Sequence, residues 1–293
     1  MDRNKFLKAL GLGLISGFTM TTKEFEKWTD GLSETGGKMP VLFVGHGSPM
    51  NAIEDNDFTR SLKALGRRLP RPKAILVLSA HWLTRGTRVQ VVDHPPMVYD
   101  MYGFPKELYE VKYPAPGAPA LARETARLVK HIRIEEDHEW GFDHGNWSVL
   151  RHLFPQADIP VFQLSIDYYK SADWHYELAR ELRALRRKGV LIIGSGNLTH
   201  NLRMVDFHDL NAPPRDWALE FDNKVKEFLE SGNARGVVEY EKLGQAARLA
   251  VPEPSHYLPL VYTVGLQETS DEISYPYDKF HYGTLSMRSV LFS

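Results

Sequence analysis

Four short runs of apolar residues punctuate the chain: 40–44 (PVLFV), 74–79 (AILVLS), 160–165 (PVFQLS) and 190–193 (VLII). They are rich in Val, Ile and Leu and do not alternate with polar residues. That pattern predicts strands covered on both faces. Between them the apolar spacing turns helical. Residues 118–128, 174–188 and 217–229 predict helices, the second stopped by Gly189. Strands alternating with helices predict an α/β fold, a single domain with a mostly parallel central sheet flanked by helices. Residues 93–119 hold six prolines and predict a long irregular loop, the kind of segment that often carries function.

The start of the chain differs in character. Residues 1–8 are basic and 9–18 (ALGLGLISGF) are apolar, the outline of a secretory signal, but no A-x-A site follows. Thr21 and Glu24 make a capping-box pattern that opens a short helix through Trp28, and Gly36 and Gly37 then break the chain. This divides the chain into an N-terminal extension over 1–38 and a working domain over 39–293. The expected location is cytoplasmic, with export the alternative if residues 1–18 act as a signal. No apolar run reaches the ~20 residues of a membrane helix, so no stable membrane span is expected.

Composition removes several kinds of chemistry. With 43% hydrophobic and 25% charged residues, the chain is globular rather than disordered. Lys plus Arg number 36 against 37 Asp plus Glu, which gives no reason to expect nucleic acid as a partner. A homo-oligomer is left open. There is no cysteine, so thiolate zinc sites, iron–sulfur clusters and Cys nucleophiles are excluded. Any metal must be held by His, Asp, Glu or backbone oxygen.

Attention therefore turns to the 12 histidines. His46 and His81 follow the first two apolar runs. His200 follows the fourth through a small-residue turn, Gly194-Ser195-Gly196-Asn197. His256 sits in Glu253-Pro254-Ser255-His256. In an open parallel sheet, ligands bind beyond the carboxyl ends of the strands, so these four rings are expected to converge there. Neutral imidazoles so gathered suit one divalent ion such as Zn2+, Fe2+ or Mn2+. His144, in Asp143-His144-Gly145-Asn146, has two readings that the residues leave open: a turn cap beside Asp143, or a general acid/base next to the metal. The loop residues Tyr99, Tyr102 and Phe104 either close over an aromatic substrate or pack among themselves. His175 lies on the helix predicted over 174–188 and is expected to be exposed. The glycines around Ser195 lack the spacing of a phosphate cradle or a nucleophile elbow.

Taken together, several segments resemble one family. They are GHGSPMN (45–51), LPRPKAILVLSAHW (69–82), YPAPGAPALA (113–122), WGFDHGNW (140–147), DIPVFQLSID (158–167), SGNLTHNLR (195–203) and SHYLPL (255–260). The chain resembles the class III extradiol ring-cleavage dioxygenases, in particular the bacterial 4,5-DOPA dioxygenase-like proteins of the protocatechuate 4,5-dioxygenase catalytic-subunit superfamily. The match runs from about Pro40 to Met287. The resemblance implies one metal ion per chain at His46, His81, His200 and His256, and an acid/base at His144. It also implies O2-dependent cleavage of a small, DOPA-like catechol. Proteins of this subfamily are described with zinc, whereas the chemistry is associated with ferrous iron. Other class III enzymes use two histidines and a glutamate; here His256 stands in the third-ligand region, three residues after Glu253. A zinc-dependent hydrolase on the same scaffold is the alternative.

Overall fold

The computed structural model describes residues 37–293. The signal-like segment 1–18 and the helix expected from Thr21 to Trp28 lie outside the described residues. The centre is a sheet of six strands: β1 (Val41–Gly45), β2 (Ala74–Ser79), β3 (Val161–Gln163), β4 (Val190–Gly196), β5 (Ile273–Tyr277) and β6 (Ser289–Phe292). Their order is β3-β2-β4-β1-β6-β5. The first four are parallel, while β6 runs against β1 and β5 against β6. The sheet is therefore mostly parallel, as its unbroken apolar strands require.

The main helices are α1 (Asp57–Arg68), α2 (Pro119–Leu128), α3 (His144–Leu153), α4 (Ala172–Glu181), α5 (Asp216–Glu230) and α6 (Leu258–Leu266). Asn56 and Thr59 cap α1 reciprocally. Its stripe of Phe58, Leu62 and Leu65 joins Trp147, Leu150 and Leu153 of α3 over one sheet face, made by Leu42, Val44, Ile75, Val77, Leu191 and Ile193. The intervening strand residues Val41, Phe43, Leu76 and Ile192 are fully buried as well, because the opposite face is also covered. There α6 is buried at every position, as a helix apolar all round must be. It rests on β4 so closely that a Cβ at Gly194 would stand 2.5 Å from the carbonyl oxygen of Pro259. Among the described residues no helix is long and apolar enough to cross a membrane.

Three local expectations are corrected. First, the helix expected over 174–188 ends at Glu181, and a separate turn covers Ala184–Arg187. The second turn swings inward because Arg186 is drawn into the interior, where its side chain is fully buried. Second, β4 runs three residues past Ile193, so Gly194, Ser195 and Gly196 are strand rather than turn; β1 pairs with all three and β2 with the first two. Third, His175 is buried rather than exposed. The apolar helix α6 covers it, its Nδ1 lies 2.9 Å from the Tyr262 hydroxyl, and burial pushes its pKa down to about 4.

Arg186 latches the amino end of the sheet. Its Nε donates to the Met39 carbonyl at 2.8 Å and its Nη1 to the Leu266 carbonyl at 3.0 Å. Its two terminal nitrogens grip both oxygens of Asp271 at 2.7 and 2.8 Å. A buried pair of this kind contributes little net stability, but breaking it strands a charge. Asp271→Asn should therefore destabilise the fold by about 3–5 kcal/mol at neutral pH. Burial raises the Asp271 carboxyl, but bonds from Arg186, the Glu268 amide and Lys38 outweigh it and hold the pKa at about 2, against an ordinary 3.8. A carboxyl depressed in this way stabilises fully above its unfolded value, and that contribution is lost as pH falls through about 2. The gap in urea midpoint between wild type and D271N should shrink as the pH is lowered from about 4 toward 2. A gap that does not change with pH would refute this.

Candidate metal centre

Each histidine of the cluster arrives from a different segment. His46 follows Gly45, the last residue of β1, and its amide donates to the Gly196 carbonyl at 2.9 Å. His81 comes two residues after β2, its amide bonded to the Ser79 hydroxyl at 3.2 Å. His256 ends a single 3-10 turn, Pro254–His256, and its carbonyl accepts the Asn197 amide at 2.8 Å. These bonds tie all three to the carboxyl ends of β1, β2 and β4. One ring nitrogen from each lies within 4.8 Å of the others. The Nε2 atoms of His46 and His81 are 3.2 Å apart.

His200 stands beside this trio. Its ring is stacked face to face on that of His256, with centroids 3.5 Å apart and planes 5° from parallel. It is not among the three rings whose nitrogens converge. Glu253 also stays apart, because its carboxylate accepts the Ser255 amide at 3.0 Å and the Ser255 hydroxyl, capping the turn.

A count of protons fixes the character of the trio. The Ser195 hydroxyl has one hydrogen and gives it to the Gly145 carbonyl at 2.6 Å. It can then only accept from His46 Nδ1, 3.0 Å away. Ser255 likewise spends its hydrogen on Glu253, leaving its oxygen to accept from His256 Nδ1 at 3.2 Å. His81 Nδ1 lies 3.1 Å from Asp100 Oδ2. All three rings therefore carry their proton on Nδ1, and each Nε2 is a bare lone pair. A second proton is disfavoured. Burial, then the neighbouring imidazoles, push His46 and His256 well below the ordinary 6.5. Burial and His144 lower His81 against the pull of Asp100, and His200 falls to about 3, chiefly through burial. Bare lone pairs facing each other at 3.2 Å repel unless a cation lies between them. Three neutral imidazole donors are a fitting set for a divalent transition metal.

His144 is the first residue of α3. Asp143 is the cap, accepting the Asn146 amide and, at 2.6 Å, the Ser79 hydroxyl. The ring of His144 is 3.8 Å from that of His81 and 5.5 Å from that of His46, centroid to centroid. Its Nδ1 meets Asp100 Oδ2 at 2.9 Å, and its amide donates to Asp100 Oδ1 at 2.9 Å. Burial raises the Asp100 carboxyl, but bonds from His144 and His81 prevail and hold it ionised, far below the usual range.

Asp100 escaped the sequence reading. It is the lone acid in Met97-Val98-Tyr99-Asp100-Met101-Tyr102-Gly103-Phe104-Pro105, and that was its only signal. The loop is pinned on either side of Phe142: the Val98 amide donates to the Phe142 carbonyl at 2.7 Å, and the Phe142 amide to the Pro96 carbonyl at 2.8 Å. A Cβ at Gly141 would come within 1.9 Å of the Pro96 oxygen, so only glycine allows this approach. Of the loop aromatics, Tyr99 and Phe104 pack partly buried against the core, and the Tyr99 hydroxyl donates to the Val111 carbonyl at 2.7 Å. Tyr102 is 92% exposed.

Comparison with known proteins shows the family of the chain. Residues 40–292 match the family model described as the catalytic LigB subunit of aromatic ring-opening dioxygenase. The chain is 48% identical over 259 residues to an Escherichia coli K12 protein named 4,5-DOPA dioxygenase extradiol, covering 86% of this chain and 94% of that one. It is 36% identical over 259 residues to a Beta vulgaris protein of the same name, covering 86% and 96%. A solved structure of an uncharacterized Escherichia coli K12 protein superposes with a TM-score of 0.75 at 43% identity, covering 87% of this chain and all of that one. None of these relatives points to a zinc-dependent hydrolase on the same scaffold, the alternative raised above. The chain belongs to the LigB family of aromatic ring-opening dioxygenases, and by that membership it is an extradiol dioxygenase.

Proposed function

We propose that the chain cleaves a small catechol of the DOPA type beside its hydroxyl pair, using O2 and a ferrous ion held by His46, His81 and His256. The observation that carries this reading is that each of the three rings turns its Nδ1 to an oxygen of the protein, at Ser195, Asp100 and Ser255, which leaves Nε2 as the ligand atom. The DOPA type of substrate is supported by the names of the relatives from Escherichia coli and Beta vulgaris. A ferrous ion would supply a redox-active Lewis acid that brings catechol oxygens and O2 together, which zinc, with no redox change, does not.

The chain's own groups do the rest. His46 and His256 are 1% and 8% exposed, so two of the three ligands are shielded from water, which strengthens electrostatic attraction, while His81 reaches the rim. His144, lying beside His81 but with its Nδ1 engaged by Asp100, presents Nε2 as the atom that takes the second catechol proton and later returns it. His200 braces the His256 ring by stacking and lies outside the ligand set. Tyr102 is the loop aromatic left free to meet a substrate ring, while Tyr99 and Phe104 shape the loop from behind. The catalytic body is residues 39–293.

Three outcomes test this. Metal-stripped protein reloaded anaerobically should consume O2 and yield a coloured ring-opened product with Fe(II) and a catechol, but not with Zn(II). Turnover with zinc alone, or none with any catechol and iron, would contradict it. His144→Ala should keep its metal by elemental analysis yet lose about 10²–10⁴-fold in turnover; loss of the metal would make His144 a ligand instead. His256→Ala should lose the metal while His200→Ala retains it, and the reverse order would exchange their roles.

A further inference from the structure

We propose that Asp100 is a positioning residue that sets the proton of a metal ligand and the proton of the acid/base group through a single carboxylate oxygen. The inference rests on the proposed roles of His81 and His144. Oδ2 of Asp100 lies 3.1 Å from His81 Nδ1 and 2.9 Å from His144 Nδ1. An ionised carboxylate can only accept, so both Nδ1 atoms must carry hydrogen. In the neutral imidazole that leaves Nε2 as the lone pair, on His81 for the metal and on His144 for a substrate proton. The rings are 3.8 Å apart and tilted by 49°, too close for either to be oriented without the other. Among the described residues, the ion-pair partners of Asp100 are these two imidazoles. Its negative charge therefore acts on the cluster, and no Lys or Arg side chain among the described residues pairs with it.

The carboxylate also has a simpler use. Oδ1 accepts the His144 amide at the first turn of α3, where an anion is favoured, and so ties the loop to the helix. Asparagine at this position would keep that accepting oxygen. It would replace the other oxygen with an amide that donates, and a donor cannot receive the two Nδ1 hydrogens. The substitution Asp100→Asn thus separates anchoring from proton placement. The side chain is 16% exposed and the loop is clamped independently at Val98, Phe142 and Trp147, so the exchange need not unravel the segment.

The experiment titrates metal-free protein with cobalt(II) against a chelator, in wild-type and His144→Ala backgrounds, and then measures kcat for the iron-loaded forms. Asp100→Asn should weaken cobalt binding by about 10–100-fold in both backgrounds. It should lower kcat by about 10²–10⁴-fold in wild type but by less than about threefold in His144→Ala, because the residue acts through His144. Unchanged cobalt affinity, or the same fractional loss of kcat in both backgrounds, would show that Asp100 only anchors the loop. Should the Asn variant fail to fold, Asp100→Glu and Asp100→Gln make the comparison at equal length. The Glu form must bind cobalt about tenfold more tightly than the Gln form, and equal affinity overturns the proposal. The cobalt arm needs no turnover, so it stands or falls separately from the choice of catechol.

Discussion

Two imidazole lone pairs directed at one another across 3.2 Å are the constraint around which this protein is arranged. Left alone they repel. They are held there because the other nitrogen of each ring is committed to an acceptor: the Ser195 hydroxyl for His46 and the Asp100 carboxylate for His81. Ser195 is itself held by the Gly145 carbonyl, at the start of the helix that carries His144. The hydrogen bonds behind the ligands thus fix both their direction and their charge state, a recurrent feature of metal-binding histidines.

The sheet makes this convergence affordable in conformational terms. β1, β2 and β4 are adjacent and parallel, so residues just past their carboxyl ends are neighbours however far apart they lie in the chain. Loops need to carry the rings only a residue or two. The amino end is fastened by Arg186 to Met39, Leu266 and Asp271, which leaves the opposite end free to vary in chemistry. His256 comes from outside the sheet, yet its carbonyl is bonded to the amide of Asn197 at the end of β4. The same close approach of this segment to β4 forbids a side chain at Gly194 and Gly196.

Much of this was legible in the residues. Apolar runs without alternation announced buried parallel strands, and histidines a few residues beyond three of those runs announced a cluster. Other features depended on partners that spacing does not reveal. His175 looked exposed on a helical wheel, but the face it occupies is covered by α6, itself apolar all round. The helix around Arg183 looked continuous, but burial of Arg186 turns the chain at that point. Ser195 read as turn because of its glycines, whereas those glycines serve close packing on a strand. Asp100 was hidden among tyrosines, since nothing in sequence couples position 100 to positions 81 and 144. The bonds of its loop to Phe142 and Trp147 do so.

The functional reading reduces to a statement about nitrogen atoms. Long-range 15N NMR on protein loaded with diamagnetic zinc reports, ring by ring, which nitrogen holds hydrogen and which holds metal. The account requires His46, His81 and His256 to be protonated at Nδ1 and metal-bound at Nε2, with His200 unbound. A metal-bound Nδ1 on any of the three, or a ring among them untouched by zinc, would contradict it.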